Sequence, residues 1–518
     1  MERVLQRAEP SRPPPAGLTG ITVPHHALAA DLIARGFWAA SQGSYDRIVL
    51  LAPDHFGRVK GPFATTDVLH ETLYGTVPAD RELTAALLSH PLFENHAAPF
   101  EEHGSMVLMP FIARFFPGTP VTLVFIATPS TAQDWDEAFE LLAAHLTPRS
   151  LVIQSTDYSH FLPVSDAVAR DQETLARIAN GTPEAVTTLI QPDHLDAPGA
   201  QVLQMRLQRD VFGSSSAVVA HRNSVAYGTP AGNTTSYMVT LYHPQPEQLS
   251  RFDYPDQDRF ALGGDILLGR YMTPLLQDGA ATAAMMQSII DATAGAPLIA
   301  NLEGVLFPEP LINAPASAHV MQQGLAGPVL QNLNMSALSL GNNHTLDFGA
   351  DGMEVTRAAL DALGITALPH GTVVDFGPAR LLALNMVPGR EPHVLADDGF
   401  DWLCDTPAAP PLIVFVHWGE EHTNAPAPAQ REIAEEMAAC GVSAVIGAHS
   451  HLSSSEVEVA LGRMPWVFSL GNLLFDQSGT RADGALAEVR VFEQGTVAVR
   501  LLPLGNLFDT GLAAMSGQ

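Results

Sequence analysis

Only two cysteines, Cys404 and Cys440, occur in 518 residues. Two cannot build a disulfide framework or a cysteine-rich metal site, so any metal must be held by nitrogen and oxygen donors. Basic residues are also scarce: 26 lysines and arginines stand against 55 aspartates and glutamates, a formal charge of −29 with a pI near 4.9. Such a chain repels phosphates and gains nothing from counterion release, which excludes a nucleic-acid or anionic-membrane partner held by bulk electrostatics. No apolar run reaches the roughly 18 residues of a membrane span, and the opening MERVLQRAEPSRPPPAG is polar and proline-rich rather than a signal peptide. A soluble, cytoplasmic protein without a membrane segment is expected. Internal repeats and low-complexity tracts are absent too.

Apolar material is ample: 46% of residues are hydrophobic and 16% charged, enough to fill large cores and to rule out disorder over most of the length. At about 150 residues per domain, the length suggests two to four domains. Short β-rich runs alternate with helical patterns throughout, the mark of α/β architecture. In the first half the strands are RIVLLA, VTLVFIA, SLVIQS and TSYMVTLY. After Tyr242, HPQPEQLSRFDYPDQDR lacks periodicity and reads as a linker, and the pattern restarts at FALGGD, continuing through PLIANLEG, SALSLGNNH, LLALN, PLIVFVHWG, SAVIGAHSH and PWVFSLGN. Helices are expected near Met353 to Leu363 and Ala429 to Cys440, the latter closed by Gly441. The stretch after Pro503 reads as peripheral.

In the second half a polar residue follows nearly every strand. Asp265 comes after FALGG, Asn301 and Glu303 after LIA, Asn342, Asn343 and His344 after LSLG, His417 after IVFV, His449 and His451 after AVIGA, and Asn472 after VFSLG. In open α/β sheets ligands gather at the carboxyl ends of strands, so distant segments converge there. Gly264, Gly341, Gly447 and Gly471 would allow the turn out of the sheet. A carboxylate, an amide oxygen and several imidazoles suit zinc, manganese or iron, and two ions about 3.5 to 4 Å apart would make a hydrolytic centre for phosphoryl-type substrates. Taken singly, each such histidine could equally cap a helix or bond a backbone carbonyl.

The segments GGDILLGR, NLEG, SLGNNHTLDFG, VHWGEEH, QREIAEEMAACGVSAVIGAHSHL and SLGNLLFDQ resemble, in order and spacing, the CapA family of poly-gamma-glutamate biosynthesis proteins with a calcineurin-like metallophosphoesterase fold. The resemblance implies metal ligands at Asp265, Glu303, Asn343, His417, His449 and His451, with His344 as proton donor or transition-state stabiliser and Asp265 and Glu303 also in the catalytic set. Two departures stand out. Metallophosphoesterases open with D-x-H, whereas here Leu267 holds the histidine position, so one metal site lacks a ligand. Capsule proteins of this family are membrane-anchored, and this chain shows no such segment, so a capsule role is not carried over.

The first half repeats the strand-end pattern with His25 and His26 in TVPHHAL, Asp54 and His55 in LLAPDHFGR, and Asp157 and His160 in SLVIQSTDYSHF, while Glu101, Glu102 and His103 open a helix-like run. Two histidines plus a carboxylate can bind non-haem iron with open positions; the alternative is a polar network that fixes the loops. VPHHALAADL, VLLAPDH, HETLYGTVPAD, EEHGSMVLMPFI, VIQSTDYSHF and GNTTSYMVTLY resemble the MEMO family, including AmmeMemoRadiSam system protein B, which shares the fold of class III extradiol dioxygenases. That resemblance implies a site at His25, His55, His103, Asp157 and His160. The family's further cysteine ligand is replaced by Pro198 in DAPGAQVL, where Asp196 or His194 could substitute, or the metal could be lost.

The expected fold is therefore a MEMO, class III extradiol dioxygenase-like α/β domain followed by a metallophosphoesterase-like α/β/β/α sandwich. The expected division is a flexible N-terminus over 1–17, the MEMO-like domain over 18–243, a linker over 244–257, the CapA-like domain over 258–505 and a tail over 506–518. The leading expectation is a metal-dependent hydrolase of phosphoesterase type in the C-terminal half, using manganese, zinc or iron, beside an N-terminal metal or ligand site that could take iron. Glu420, Glu421 and His422 would lie at the rim, either selecting substrate or forming a solvated loop. The alternatives are a non-haem iron redox enzyme centred on the first half and a non-enzymatic binding scaffold. The expected substrate is small, phosphorylated or peptide-like, and the resemblance implies radical-SAM and AMMECR1-like pathway partners.

Overall fold

In the computed structural model, strand Arg47–Pro53 shows how the first half is layered. Ile48, Leu50 and Ala52 join Ile33 and Phe37 of helix Ala30–Ala40 in one core, whereas Val49 and Leu51 join Ala138, Phe139 and Leu142 of helix Ala132–Ala143 in another. Successive side chains of a strand point to opposite faces, so helices cover both faces of the sheet, as buried parallel strands require. The structure describes residues 1–11, 13–96, 102–311, 314–315, 317–388, 399–407, 409–479 and 482–517.

The chain divides into two compact units, Met1–Gln257 with Phe492–Gln494, and Asp258–Val491 with Gly495–Gln518. The sheet of the first unit has nine strands among the described residues. Its order is Ser215–Asn223, Thr234–His243, Gly20–Val23, Ser150–Ser155, Arg47–Pro53, Val121–Ile126, Phe63–Thr65 and Phe93–Asn95, with His160–Leu162 paired to Thr234–His243. Gly20–Val23, Ser150–Ser155, Arg47–Pro53 and Val121–Ile126 run parallel. The loops that leave Val23, Ser155 and Pro53 therefore emerge side by side.

The second unit holds two larger sheets. One runs Thr366–Leu368, Met335–Ser339, Leu298–Leu302, Gln257–Ile266, Gly484–Phe492 and Val497–Gly505, with Asn472–Leu474 paired to Gln257–Ile266; the other runs Val373–Phe376, Ala379–Asn385, Leu412–His417, Ala444–Ala448, Met464–Val467 and Glu458–Ala460. Strand parity orders the layers. Leu298, Ala300 and Leu302 pack with Met285 and Ile289 of helix Gly279–Thr293, while Leu412, Val414 and Val416 pack with Ile433 and Met437 of helix Pro428–Ala439. Their alternates, Ile299 and Asn301 in one sheet and Ile413, Phe415 and His417 in the other, are left on the inner faces. Asn301 and His417 meet there at 3.1 Å, which closes an α/β/β/α sandwich.

Several local expectations change. The segment expected to be flexible at the start contains helix Glu2–Ala8, whose Leu5 is buried in the first core. The expected linker includes Leu249 and Phe252, buried in the same core, and Asp256, paired with Arg35 at 2.6 Å and with Arg222. The expected C-terminal tail is helix Leu507–Ser516, with Leu507 and Phe508 packed into the core that contains Met285. A few apolar anchors order each segment, a signal that its polar and proline-rich neighbours obscure. Cys404 and Cys440, too few for a framework, form one disulfide. Gly264 and Gly447 lie inside strands, where a Cβ would collide with the carbonyl oxygens of Gly471 and Phe468. They permit close approach rather than a turn. Among the described residues no helix is long and apolar enough to cross a membrane.

Candidate metal centres

In the second unit the strand ends bring their polar residues together between the sheets. His417, the last residue of its strand, faces Asn343 Oδ1 at 2.9 Å and His449 Nδ1 at 3.0 Å through Nε2. Its Nδ1 faces Asn301 Nδ2 at 3.1 Å, and the same amide donates to Asp265 Oδ1 at 2.8 Å. Asp265 Oδ2 accepts from the His449 backbone at 3.0 Å and lies 3.4 Å from His451 Nδ1, which also meets Asn472 Oδ1 at 2.8 Å. His449 and His451 have φ of 93° and 59°, the left-handed region that costs a non-glycine residue about 1–3 kcal/mol and concentrates at functional sites. Turning the chain this way twice within three residues keeps both imidazoles at the strand end.

Glu303 is common to three groups whose donor atoms lie within 4.8 Å of one another: with Asp265 and His451, with His417 and His449, and with His319 and His344. His319 escaped the sequence reading because it precedes strand Val320–Gln322 instead of following one. Its ring stacks on His344 at 3.6 Å, and Asp347 Oδ2 accepts both the His319 backbone N–H at 2.7 Å and a bond from His344 Nδ1 at 2.9 Å. Leu267, at the position of the missing histidine, is buried in the helix-side core. Glu420, Glu421 and His422 are exposed, and the His422 ring lies 6.1 Å from that of His451.

The electrostatics of this cluster favour a bound cation. Burial and the neighbouring Asp265 hold the Glu303 carboxyl well above its usual range, and burial raises Asp265. Burial, with repulsion from His449 and His451, holds His417 well below the usual imidazole range, and burial with His451 lowers His449 to about 3. The carboxylates are thus crowded by like charge while the imidazoles remain neutral and able to coordinate. Glu303 Oε2 is buried with no hydrogen-bond partner among the described residues. A divalent ion answers both needs, and this donor set fits one.

The first unit builds a different cluster at the ends of three neighbouring strands. His25 Nε2 lies 3.1 Å from Asp196 Oδ2 and 3.6 Å from Asp157 Oδ2, and His55 Nε2 lies 3.3 Å from Asp196 Oδ2. Behind them, His25 Nδ1 meets Ser155 Oγ at 3.0 Å and His55 Nδ1 meets Glu102 Oε1 at 2.9 Å. Asp157 also accepts the His25 backbone N–H at 3.0 Å. Burial alone would lower both imidazoles, but the Asp157 and Asp196 carboxylates raise His25, and the bonds to Asp196 and Glu102 raise His55 to about 10.

His103 joins His25 and His55 in a group of three donors, yet its side chain is 48% exposed and its Nδ1 is held 2.9 Å from Glu102. His160 enters no such group among the described residues. Of the two substitutes for the missing cysteine, His194 is drawn away to Glu173 at 2.7 Å and Asp196 faces the histidines. Pro198 begins helix Pro198–Arg206. Glu101 lies outside the described residues.

The chain resembles two families, one in each half. Residues 1–240 match the model of Memo-like proteins, and 259–397 with 405–477 match that of the bacterial capsule synthesis protein PGA_cap. The PGA biosynthesis protein CapA of Bacillus subtilis (strain 168) is 26% identical over 272 residues, covering 46% of this chain and 70% of that protein. The capsule biosynthesis protein CapA of Bacillus anthracis is 29% identical over 207 residues, covering 34% of this chain and 49% of its own length. A MEMO1 family protein of Methanopyrus kandleri is 25% identical over 234 residues, covering 40% of this chain and 82% of that protein.

Proposed function

Starting from a chain that fuses a Memo-like domain to a CapA-family domain, we propose that the CapA-like half is a metal-dependent hydrolase of phosphoesterase type and that the Memo-like half holds a metal or small ligand. The observation that carries the first reading is the convergence of Asp265, His417, His449 and His451 on Glu303, whose Oε2 has no hydrogen-bond partner among the described residues, with Asn343 Oδ1 held on His417. When bound there, a manganese, zinc or iron ion would polarise a phosphoryl oxygen as a Lewis acid. Asn301 orients Asp265 and His417 by bonding both. Asp347 accepts from Nδ1 of His344 and so fixes the ring, whose imidazolium form would offer Nε2–H to the leaving group. Glu420, Glu421 and His422 stand at the exposed rim, where they would meet the rest of a substrate. With a net charge of −29, the protein would favour a small substrate whose phosphate charge the metal offsets.

The test is hydrolysis of a generic phosphodiester by the full chain loaded with manganese, zinc or iron. Turnover with one of these ions, falling to background in His449→Ala, is expected. The reading fails if no ion supports turnover or if His449→Ala turns over like the parent.

A further inference from the structure

We propose that His25, His55 and Asp196 form a three-ligand site for a hard or borderline divalent cation, with Asp196 supplying the anionic donor that Pro198 cannot. This rests on the reading that the Memo-like half holds a metal, and it names the ligands and the class of ion.

The first support is the direction of the imidazoles. The Ser155 hydroxyl donates its single proton to the Gly104 carbonyl, so toward His25 it can only accept, and His25 Nδ1 must carry the proton of their 3.0 Å bond. Glu102 imposes the same tautomer on His55 at 2.9 Å. Each Nε2 is therefore aimed at Asp196, fixed from behind by the hydrogen bonds that orient metal-binding histidines, and would offer its lone pair once a cation displaces the proton it shares with that carboxylate.

Distance is the second support. Both Nε2 atoms converge on one carboxylate oxygen, Asp196 Oδ2, at 3.1 and 3.3 Å. Two donors each about 2.1 Å from an ion and about 100° apart stand about 3.2 Å from each other, so these separations suit neighbouring ligands of a single ion. Asp196 Oδ1 is buried without a hydrogen-bond partner among the described residues, and Asp196 lines a cavity of about 210 Å³ together with Asp54, Trp135 and Gln191. Space for a further small ligand thus adjoins Asp196. His103, grouped with the same two histidines, is half exposed and committed to Glu102, and Asp157 lies farther from His25 Nε2, at 3.6 Å.

Two imidazoles and a carboxylate leave open positions and prefer iron(II), manganese(II), cobalt(II) or zinc(II), whereas a thiolate would draw copper(I). Replacing sulfur with oxygen keeps the ligand charge and changes the preferred metal.

Cobalt(II) is the probe. The full chain, stripped with chelator and reloaded, is desalted, its cobalt counted by mass spectrometry and its visible spectrum recorded. Asp196→Ala should hold one cobalt fewer per chain than the parent. Asp196→Cys should restore that ion and add a thiolate-to-cobalt charge-transfer band that the parent lacks, and this variant keeps the test readable where Asp196→Ala fails to fold. An unchanged count in folded Asp196→Ala, or a folded Asp196→Cys without the band, overturns the proposal. Where Asp196→Ala keeps an ion that His25→Ala loses, the metal-holding reading survives and the role of Asp196 falls. Where neither variant loses an ion, both fall.

Discussion

Asn301→Ala removes one buried amide that serves three partners. Asn301 Nδ2 donates to Asp265 Oδ1 at 2.8 Å and faces His417 Nδ1 at 3.1 Å, while its Oδ1 accepts from Asn342 Nδ2 at 3.1 Å. Asn342 keeps its bond to the Leu302 carbonyl at 2.8 Å, so its loss is small. A buried bond to a carboxylate contributes about 1.5–3 kcal/mol and one to a neutral partner about 1 kcal/mol, which puts the cost near 3 kcal/mol without metal. Asp265 and His417, the other two that lose a bond, are candidate ligands, and removing an orienting partner typically weakens metal affinity about 10–100-fold. The assays are urea unfolding in chelator, followed for the second unit, and zinc competition against a chromogenic chelator. A variant that unfolds within about 0.5 kcal/mol of the parent and binds zinc equally well would refute the assignment of Asn301 as the link between the sheets.

Two further outcomes test the second unit. Glu488 is buried among Arg490, Arg500 and Arg259 at 2.9, 2.8 and 3.6 Å; although burial opposes it, the Arg490 and Arg500 guanidinium groups hold its carboxyl well below the usual range. Because the folded pKa is lowered, its stabilisation is complete above the ordinary glutamate value and is lost as pH falls below it, so Glu488→Gln should flatten the decline in urea midpoint between about pH 5 and 3 and, by removing the carboxylate charge that the buried arginines face, cost about 3–5 kcal/mol at neutral pH. An unchanged pH profile would count against the pairing. The Cys404–Cys440 bond closes a separation of 36 residues, for which loop entropy gives about 4 kcal/mol. The oxidised protein should show no free thiol by a colorimetric count and should lose thermal stability on reduction, and two reactive thiols in the non-reduced protein would contradict the bond.

Much of the fold was legible because strand and helix periodicity is local. SLVIQS coincides with strand Ser150–Ser155, and the helix expected over Ala429 to Cys440 is Pro428–Ala439, followed by Gly441 at φ 84°. Asp265, Glu303, His417, His449 and His451 were legible for a related reason: each lies at or just past a strand's carboxyl end, and a parallel sheet collects those ends. His319 was not, since it precedes a strand and reaches Glu303 and His344 only through folding. Asn301 was ambiguous because a polar residue on an inner face looks like a loop residue until the facing sheet is known. Segments 1–17 and 244–257 were misjudged for want of periodicity, although single anchors such as Leu5 and Phe252 order them.

Composition alone determined that a metal here must be held by nitrogen and oxygen, since two cysteines cannot build a cysteine-rich site, and the order of motifs determined two α/β units. Which donors share an ion was decided by tertiary structure. Strand parity and the packing of two sheets set Asn301 against His417, and a loop before helix Pro198–Arg206 turned Asp196, and not His194, toward His25 and His55. Coordination depends on distances of a few ångströms between residues far apart in the chain, and those distances exist only once the sheets have formed and packed.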